Sequence, residues 1–140
     1  MLTDTEDKKP TQLLRIWLNA VEELVAVPEL FADDIVLHVP FVAPGMPPRT
    51  EGRDEVTKVM AMLGQMFERF RYTDLEVYQT DDPELAVGRA GSEATLVGGA
   101  NYRGNYVFFL RARGGKIVEY FEYMDVLAGQ RAVEGSTANS

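Results

Sequence analysis

The second half of the chain changes period, and that change limits the folds open to it. Between Tyr72 and Asp125, apolar and polar residues alternate, interrupted only by short clusters of turn-forming residues. Tyr72–Thr80, Leu85–Val97, Tyr102–Arg113 and Lys116–Asp125 read as strands. They are separated by Asp81-Asp82-Pro83, Gly98-Gly99-Ala100-Asn101 and Gly114-Gly115. Gly88 and Gly91 predict a weak or bulged stretch in the second of these strands. Connections this short cannot hold a crossover helix, so consecutive strands must pair antiparallel. A sheet of that extent must bury one face, and the apolar cover has to come from the first half of the chain.

The first half supplies it. Leu13, Leu14, Trp17, Ala20, Val21, Leu24 and Val25 recur at helical spacing and predict a helix over 12–27, with Thr11 as N-cap and Pro28 as stop. Glu29–Ala32 reads as a short helical turn and Ile35–Val39 as a strand. Pro40–Pro48 carries four prolines in nine residues and is an ordered loop weighted by Phe41 and Met46. Val56, Val59, Met60, Leu63, Met66, Phe67 and Phe70 predict a second helix over 53–70. Residues 126–132 suggest a final helical turn. The expected organisation is a mobile arm over 1–10, a single α+β domain over 11–132, and a disordered tail over 133–140.

Composition removes several function classes. The chain of 140 residues has no Cys and one His, which excludes disulfides, thiolate nucleophiles and multi-histidine metal centres. Its net charge of −8 repels phosphate backbones and anionic lipid, so neither nucleic acid nor a membrane surface is expected as a partner. The acidic start, Met1–Asp7, lacks the basic and apolar regions of a secretory signal, and no apolar run approaches the ~20 residues of a membrane helix. The chain therefore reads as cytoplasmic. No phosphate-binding loop is present: Gly98-Gly99 precedes a strand, and Gly52-Arg53 opens a helix whose Asp54 and Glu55 repel an anion.

The order of elements resembles the nuclear-transport-factor-like superfamily, which includes ketosteroid isomerase and the SnoaL-like polyketide cyclases. The resemblance spans about residues 12–127. It is carried by Phe31-Ala32-Asp33-Asp34, Pro40-Phe41 with Pro44-Gly45, Glu51-Gly52-Arg53-Asp54, Asn101-Tyr102 with Asn105-Tyr106, and Gly115-Lys116-Ile117 leading to Glu122-Tyr123-Met124-Asp125. The glutamate before Tyr-Met-Asp also resembles that of PhzA/PhzB-type phenazine biosynthesis proteins. The resemblance implies a cone-shaped, cystatin-like α+β roll: a curved antiparallel sheet wrapped around helices and enclosing a pocket. It also implies a two-fold dimer formed by sheets packing face to face. It does not name an activity, because isomerases, cyclases, dehydratases, hydrolases and binders share the fold.

The hairpin at Gly114-Gly115 singles out Glu122. A three-residue turn over Arg113–Gly115 pairs Tyr106 with Glu122, Phe108 with Tyr120 and Leu110 with Val118. One face then holds Tyr102, Gly104, Tyr106, Phe108, Leu110, Val118, Tyr120, Glu122 and Met124, with Glu122 its only charge. Ile117, Phe121, Tyr123, Val107 and Phe109 share the other face with Arg103, Arg111 and Glu119. A two-residue turn instead changes the facing partners of Glu122 to Val107 and Phe109. A carboxylate on an apolar wall is desolvated, its pKa climbs toward ~6–7, and it can both donate and accept a proton near neutrality. The alternative is a wet or arginine-paired glutamate at the sheet end. The resemblance implies the pocket acid.

Tyr106 and Tyr120 share the Glu122 face and can bind a substrate oxygen or hold the carboxyl. His38 has a ring suited to proton transfer beside the proline-rich loop. Trp17, Phe41, Met46, Met60, Leu63, Phe67, Phe108 and Met124 are candidates to line the cavity, or simply to fill the core. Val39 stands where the steroid isomerases carry their aspartate base, and Arg89-Ala90-Gly91 lacks the Arg-x-Asp of limonene-type epoxide hydrolases. Three functions compete. The first is a cofactor-free acid/base enzyme, an isomerase, cyclase or dehydratase acting on a small hydrophobic carbonyl compound. The second is a non-catalytic binder using the same pocket. The third is an interaction module working through the outer sheet face, where a homodimer is also expected.

Overall fold

The computed structural model describes residues 7–42, 45–128 and 131. Helix α1 (Pro10–Glu22) and a 3₁₀ turn (Pro28–Leu30) lead to strand β1 (Phe31–His38), followed by β2 (Arg49–Glu51) and helix α2 (Arg53–Met66). Four long strands follow: β3 (Phe67–Gln79), β4 (Leu85–Leu96), β5 (Asn101–Arg113) and β6 (Lys116–Met124). The expected arm and tail lie largely outside the described residues, as does part of the turn expected over 126–132. Among the described residues, no helix is long and apolar enough to cross a membrane.

The sheet has the order β2-β1-β6-β5-β4-β3. The α+β layering matches expectation, but the sheet is mixed rather than wholly antiparallel. β3 to β6 form an antiparallel meander, whereas β1 docks parallel to β6. Short turns dictate the antiparallel pairs. The β1–β6 pair is not turn-linked, and nothing local sets its direction. β2, which the sequence pattern does not signal, is three residues after the proline-rich loop that pair back on β1.

Both helices are displaced from their expected spans. α1 starts at Pro10, where the missing N–H and fixed φ suit the first helical position. The backbone N–H of Lys9 donates to Gln12 Oε1 at 2.8 Å, so Thr11 is not the cap. The helix ends at Glu22, well before Pro28. Leu13, Leu14, Trp17 and Leu18 are almost fully buried against the sheet. α2 stops at Met66, not at residue 70, because Phe67 to Tyr72 also fit a strand. Phe70 and Tyr72, two apart, point inward from β3 and pair with Ala94 and Ser92. Ladder hydrogen bonds and aromatic burial on the sheet outweigh continued helical spacing. In α2 only Val56 and Met60 are buried, and Met66 is 46% exposed.

The β5–β6 hairpin sets which side chains face the helices. Gly114 (φ 59°) and Gly115 (φ 74°) form a two-residue turn that only glycine adopts readily. Arg113 pairs with Lys116 and Ala112 with Ile117, but Arg111 then pairs with Glu119. Val118 is therefore the extra residue of a bulge. The short turn reverses the facing parity relative to a three-residue turn, and the bulge reverses it again. Tyr106, Phe108, Leu110, Tyr120, Glu122 and Met124 thus share one face, as the sequence predicts. The register differs by two residues: Glu122 faces Phe108, Tyr120 faces Leu110 and Tyr106 faces Met124. Ile117 is fully buried inside and Val118 is only partly buried, the reverse of expectation. β4 pairs with β5 without a break from Leu85 to Thr95. The irregularity expected there lies in β3, between Thr73 and Glu76, where Asp74 has φ 53°.

Candidate functional site

Glu122 reaches the inner face of β6 between Tyr120 and Met124, opposite the fully buried Phe108. Tyr120, itself buried, donates its hydroxyl proton to Glu122 Oε1 at 3.3 Å. The indole of Trp17 stacks on the Tyr120 ring with centroids 4.2 Å apart, so α1 fixes the residue that holds the carboxyl. The Glu122 side chain keeps some solvent exposure, yet protein surrounds its carboxyl group. Desolvation raises its pKa from the usual 4.5 to about 7, and the Tyr120 hydrogen bond offsets only part of that rise. Near neutral pH the group populates both protonation states, as a two-way proton carrier must.

Four tyrosines sense the Glu122 charge. Tyr72, Tyr102, Tyr106 and Tyr120 all have raised pKa values, burial being the largest cause and the field of Glu122 a further one. All four therefore stay protonated, and two of them donate: Tyr120 to Glu122 and Tyr106 to Tyr102. Ser92 Oγ accepts the backbone N–H of Gly104 at 3.1 Å and lies 2.9 Å from the Tyr106 hydroxyl. Tyr106 donates to Tyr102 at 3.2 Å. Glu22, at the end of α1, accepts the backbone N–H of Tyr72 at 2.9 Å and ties the helix to the β3 bulge.

Of the residues expected to do chemistry, Glu122, Tyr106 and Tyr120 share this face and His38 does not. His38 lies on the outer side of β1, stacked on Phe121 at 4.1 Å, with Nε2 2.9 Å from Glu119 Oε2. The cause is the parallel β1–β6 register, which sets His38 beside Phe121. A residue on the opposite face of the sheet from the buried acid cannot pass it a proton directly.

The expected cavity lining also divides. Trp17, Met60 and Phe108 are buried in the core, and Phe67 is partly buried against it. Phe67 lies 5.1 Å from Phe70 and 6.0 Å from Tyr102, centroid to centroid. Met124 is partly buried at the inner end of β6. Leu63 is exposed on α2, and Met46 is half-buried in the loop after β1. Phe41 is exposed and tilts against Tyr123 on the outer face, 5.8 Å away. A hollow of about 1040 Å³ lies over that outer side, around Gly91, Thr73, Asn105, Arg103, Tyr123 and Phe41. Glu122 does not line it. Of the residues expected to hold or act on substrate, Phe41, Met124 and Tyr106 do.

Tyr72 and Ser92 join the site without having been expected there, and Tyr102, expected on this face, was not expected to take part. Uncertain alternation around Gly88 and Gly91 hides Ser92 in the sequence. The unbroken β4–β5 register turns it inward, while Glu93 faces out to Arg71. The spacing Tyr102-x-Gly104-x-Tyr106 is the available signal: two phenols on one strand face, with no side chain between them. Among the described residues, no three His, Cys, Asp or Glu side chains converge as a metal site would require.

Comparison with known proteins agrees with this architecture. Residues 17–120 match the SnoaL-like domain family. An uncharacterised PhzA/B-like protein of Pseudomonas aeruginosa is 32% identical over 111 residues, covering 79% of this chain and 78% of its own. A Bacillus subtilis crystal structure provisionally assigned as an isomerase superposes with a TM-score of 0.81 at 22% identity, covering 90% of this chain and 93% of that one. IdmH of Streptomyces antibioticus, a provisionally assigned polyketide cyclase, gives 0.70 at 22% identity over 91% and 99%. At these identities the two structures bear on the fold alone.

Proposed function

The chain belongs to the SnoaL-like domain family, and from that membership together with the Glu122 environment we propose a cofactor-free enzyme of the isomerase or cyclase type. Its substrate is a small hydrophobic metabolite bearing a carbonyl. Glu122 in its ionised form removes a proton from the carbon beside the carbonyl and returns it at the same or another atom. Tyr120 orients the carboxyl, and the aromatic wall of Trp17 and Phe108 keeps bulk water from competing for the proton.

The observation that carries the reading is a carboxyl held near pKa 7 by burial, in contact with a single hydroxyl donor. The test is Glu122→Gln, which keeps shape and the Tyr120 hydrogen bond. Exchange of the α-protons of hydrophobic ketones into deuterated water, followed by NMR, should fall by about 10²–10⁴-fold. Retention of the catalysed exchange would remove Glu122 as the base. Unchanged binding of those ketones by both forms, with no exchange catalysed by either, favours the non-catalytic binder.

A homodimer through the outer sheet face belongs to the same proposal. Val107 and Tyr78 are exposed there, 40% and 53%, beside the partly buried aromatic rings of Phe109, Phe121 and Tyr123. Light scattering that finds only monomer at micromolar concentration contradicts it.

A further inference from the structure

The hydroxyl groups of the inner face form a directed chain with an open end. Tyr106 has one proton and gives it to Tyr102, so the 2.9 Å bond between Ser92 and Tyr106 must use the serine proton. Ser92 Oγ is meanwhile held in place by the Gly104 N–H. The order is Ser92 to Tyr106 to Tyr102, and among the described residues the Tyr102 proton meets no acceptor. Each donated bond polarises the next hydroxyl, which makes the last one the strongest donor.

Backbone geometry builds the chain as well. Gly104 lies between the two tyrosines on β5. A Cβ there would sit 2.5 Å from the Tyr106 hydroxyl and 2.6 Å from that of Tyr102. The two phenols lean together over this residue, and any side chain would separate them. Tyr102 and Tyr106 share the buried face of β5 with Phe108, which pairs with Glu122 on β6, so the open donor and the acid lie on one face of the sheet.

We infer that the Tyr102 hydroxyl receives the oxygen of the bound molecule, with Tyr106 and Ser92 as positioning residues. The inference rests on the acid/base reading of Glu122. As the carboxylate takes the C–H proton, the electron pair of that bond forms a C=C bond and the carbonyl π pair moves onto oxygen. Tyr102 stabilises the resulting enolate by a strengthened hydrogen bond and keeps its own proton. Glu122 then returns the proton to carbon and regains its charge. The chain presents donors without a cation, which suits a neutral ketone or enone rather than a carboxylate substrate.

The probe is 4-nitrophenol, whose ionised form is distinguished by its visible absorbance, with 4-nitroanisole as a control that cannot ionise. The wild-type protein should bind the phenolate in preference to the anisole. Tyr102→Phe should weaken phenolate binding about tenfold or more and leave the anisole unchanged. Ser92→Ala, remote from the ligand oxygen, should weaken the phenolate by a smaller factor. Gly104→Ala should match Tyr102→Phe while keeping every hydroxyl. Near-UV circular dichroism checks each fold, and if one variant does not fold, phenolate binding by the other two still decides the question. Equal phenolate affinity in Tyr102→Phe and wild type, or no binding of the phenolate by wild type, overturns the inference. Glu122→Gln should bind the phenolate at least as well as wild type. Phenolate binding that depends on Tyr102, in a protein whose Glu122 ionises as an ordinary carboxylate, overturns the acid/base reading and leaves the oxygen site standing.

Discussion

The two faces of one sheet treat the same chemistry in opposite ways. Glu119 and Glu122 lie three residues apart on β6. Glu119 points outward, 35% exposed, with His38 at 2.9 Å and Arg111 at 3.9 Å. Glu122 points inward and, among the described residues, has one tyrosine hydroxyl and no cation beside it. The outer face is a lattice of compensated charge in which Arg111 also meets Asp82, Arg71 meets Glu93 and Arg89 meets Glu76. The inner face leaves one acid uncompensated among aromatic rings. Water and counter-ions make outer charges nearly free of consequence, whereas an inner charge must be neutralised by its own proton.

Substitutions that separate the faces can break this comparison. The largest effect is expected from packing. Phe108→Ala, fully buried, should cost about 3–5 kcal/mol in urea unfolding, and Phe109→Ala on the outer face clearly less. Equal losses would mean that the outer face is packed like a core.

The next effect depends on pH. The folded pKa of Glu122 lies above its ordinary value, so the native state holds the proton more tightly than the unfolded chain. Its contribution is therefore fully present below about pH 4.5 and is lost as pH rises to about 7. Glu122→Gln should match wild type at pH 4 and be more stable at pH 8 by up to about 3 kcal/mol. Denaturation at the two pH values checks it, and a pH-independent difference would contradict the buried acid.

Smaller again, Glu119→Gln should cost no more than about 1 kcal/mol at any pH, because its partners remain hydrated. The smallest effect belongs to Arg71 and Glu93, 66% and 47% exposed. A double-mutant cycle on that pair should return about 0.5 kcal/mol or less, fading further with salt.

The sequence makes the face of Glu122 legible but not its neighbours. Alternation from Tyr102 to Leu110 and from Tyr120 to Met124 is a local property, since successive strand side chains point to opposite sides. The expected face holds even though the turn is two residues long and the register differs by two, because the Val118 bulge restores the parity. Spacing alone overextends α2, because Phe67 and Phe70 continue the helical spacing while Phe70 and Tyr72, two apart, already belong to the strand alternation. His38 departs from expectation for a different reason: its side of the sheet depends on how β1 docks against a strand eighty residues later.

What the sequence determined alone was therefore the class of fold, the antiparallel meander from β3 to β6, and the isolation of one carboxyl on an apolar strand face. Each follows from spacing within a few residues and from short turns. Tertiary structure decided the parallel β1–β6 contact, the outward turn of His38, and the hydroxyl chain of Ser92, Tyr106 and Tyr102. Those depend on contacts between distant segments, whose register is set by which pairing buries most apolar surface and leaves no buried polar group unpaired.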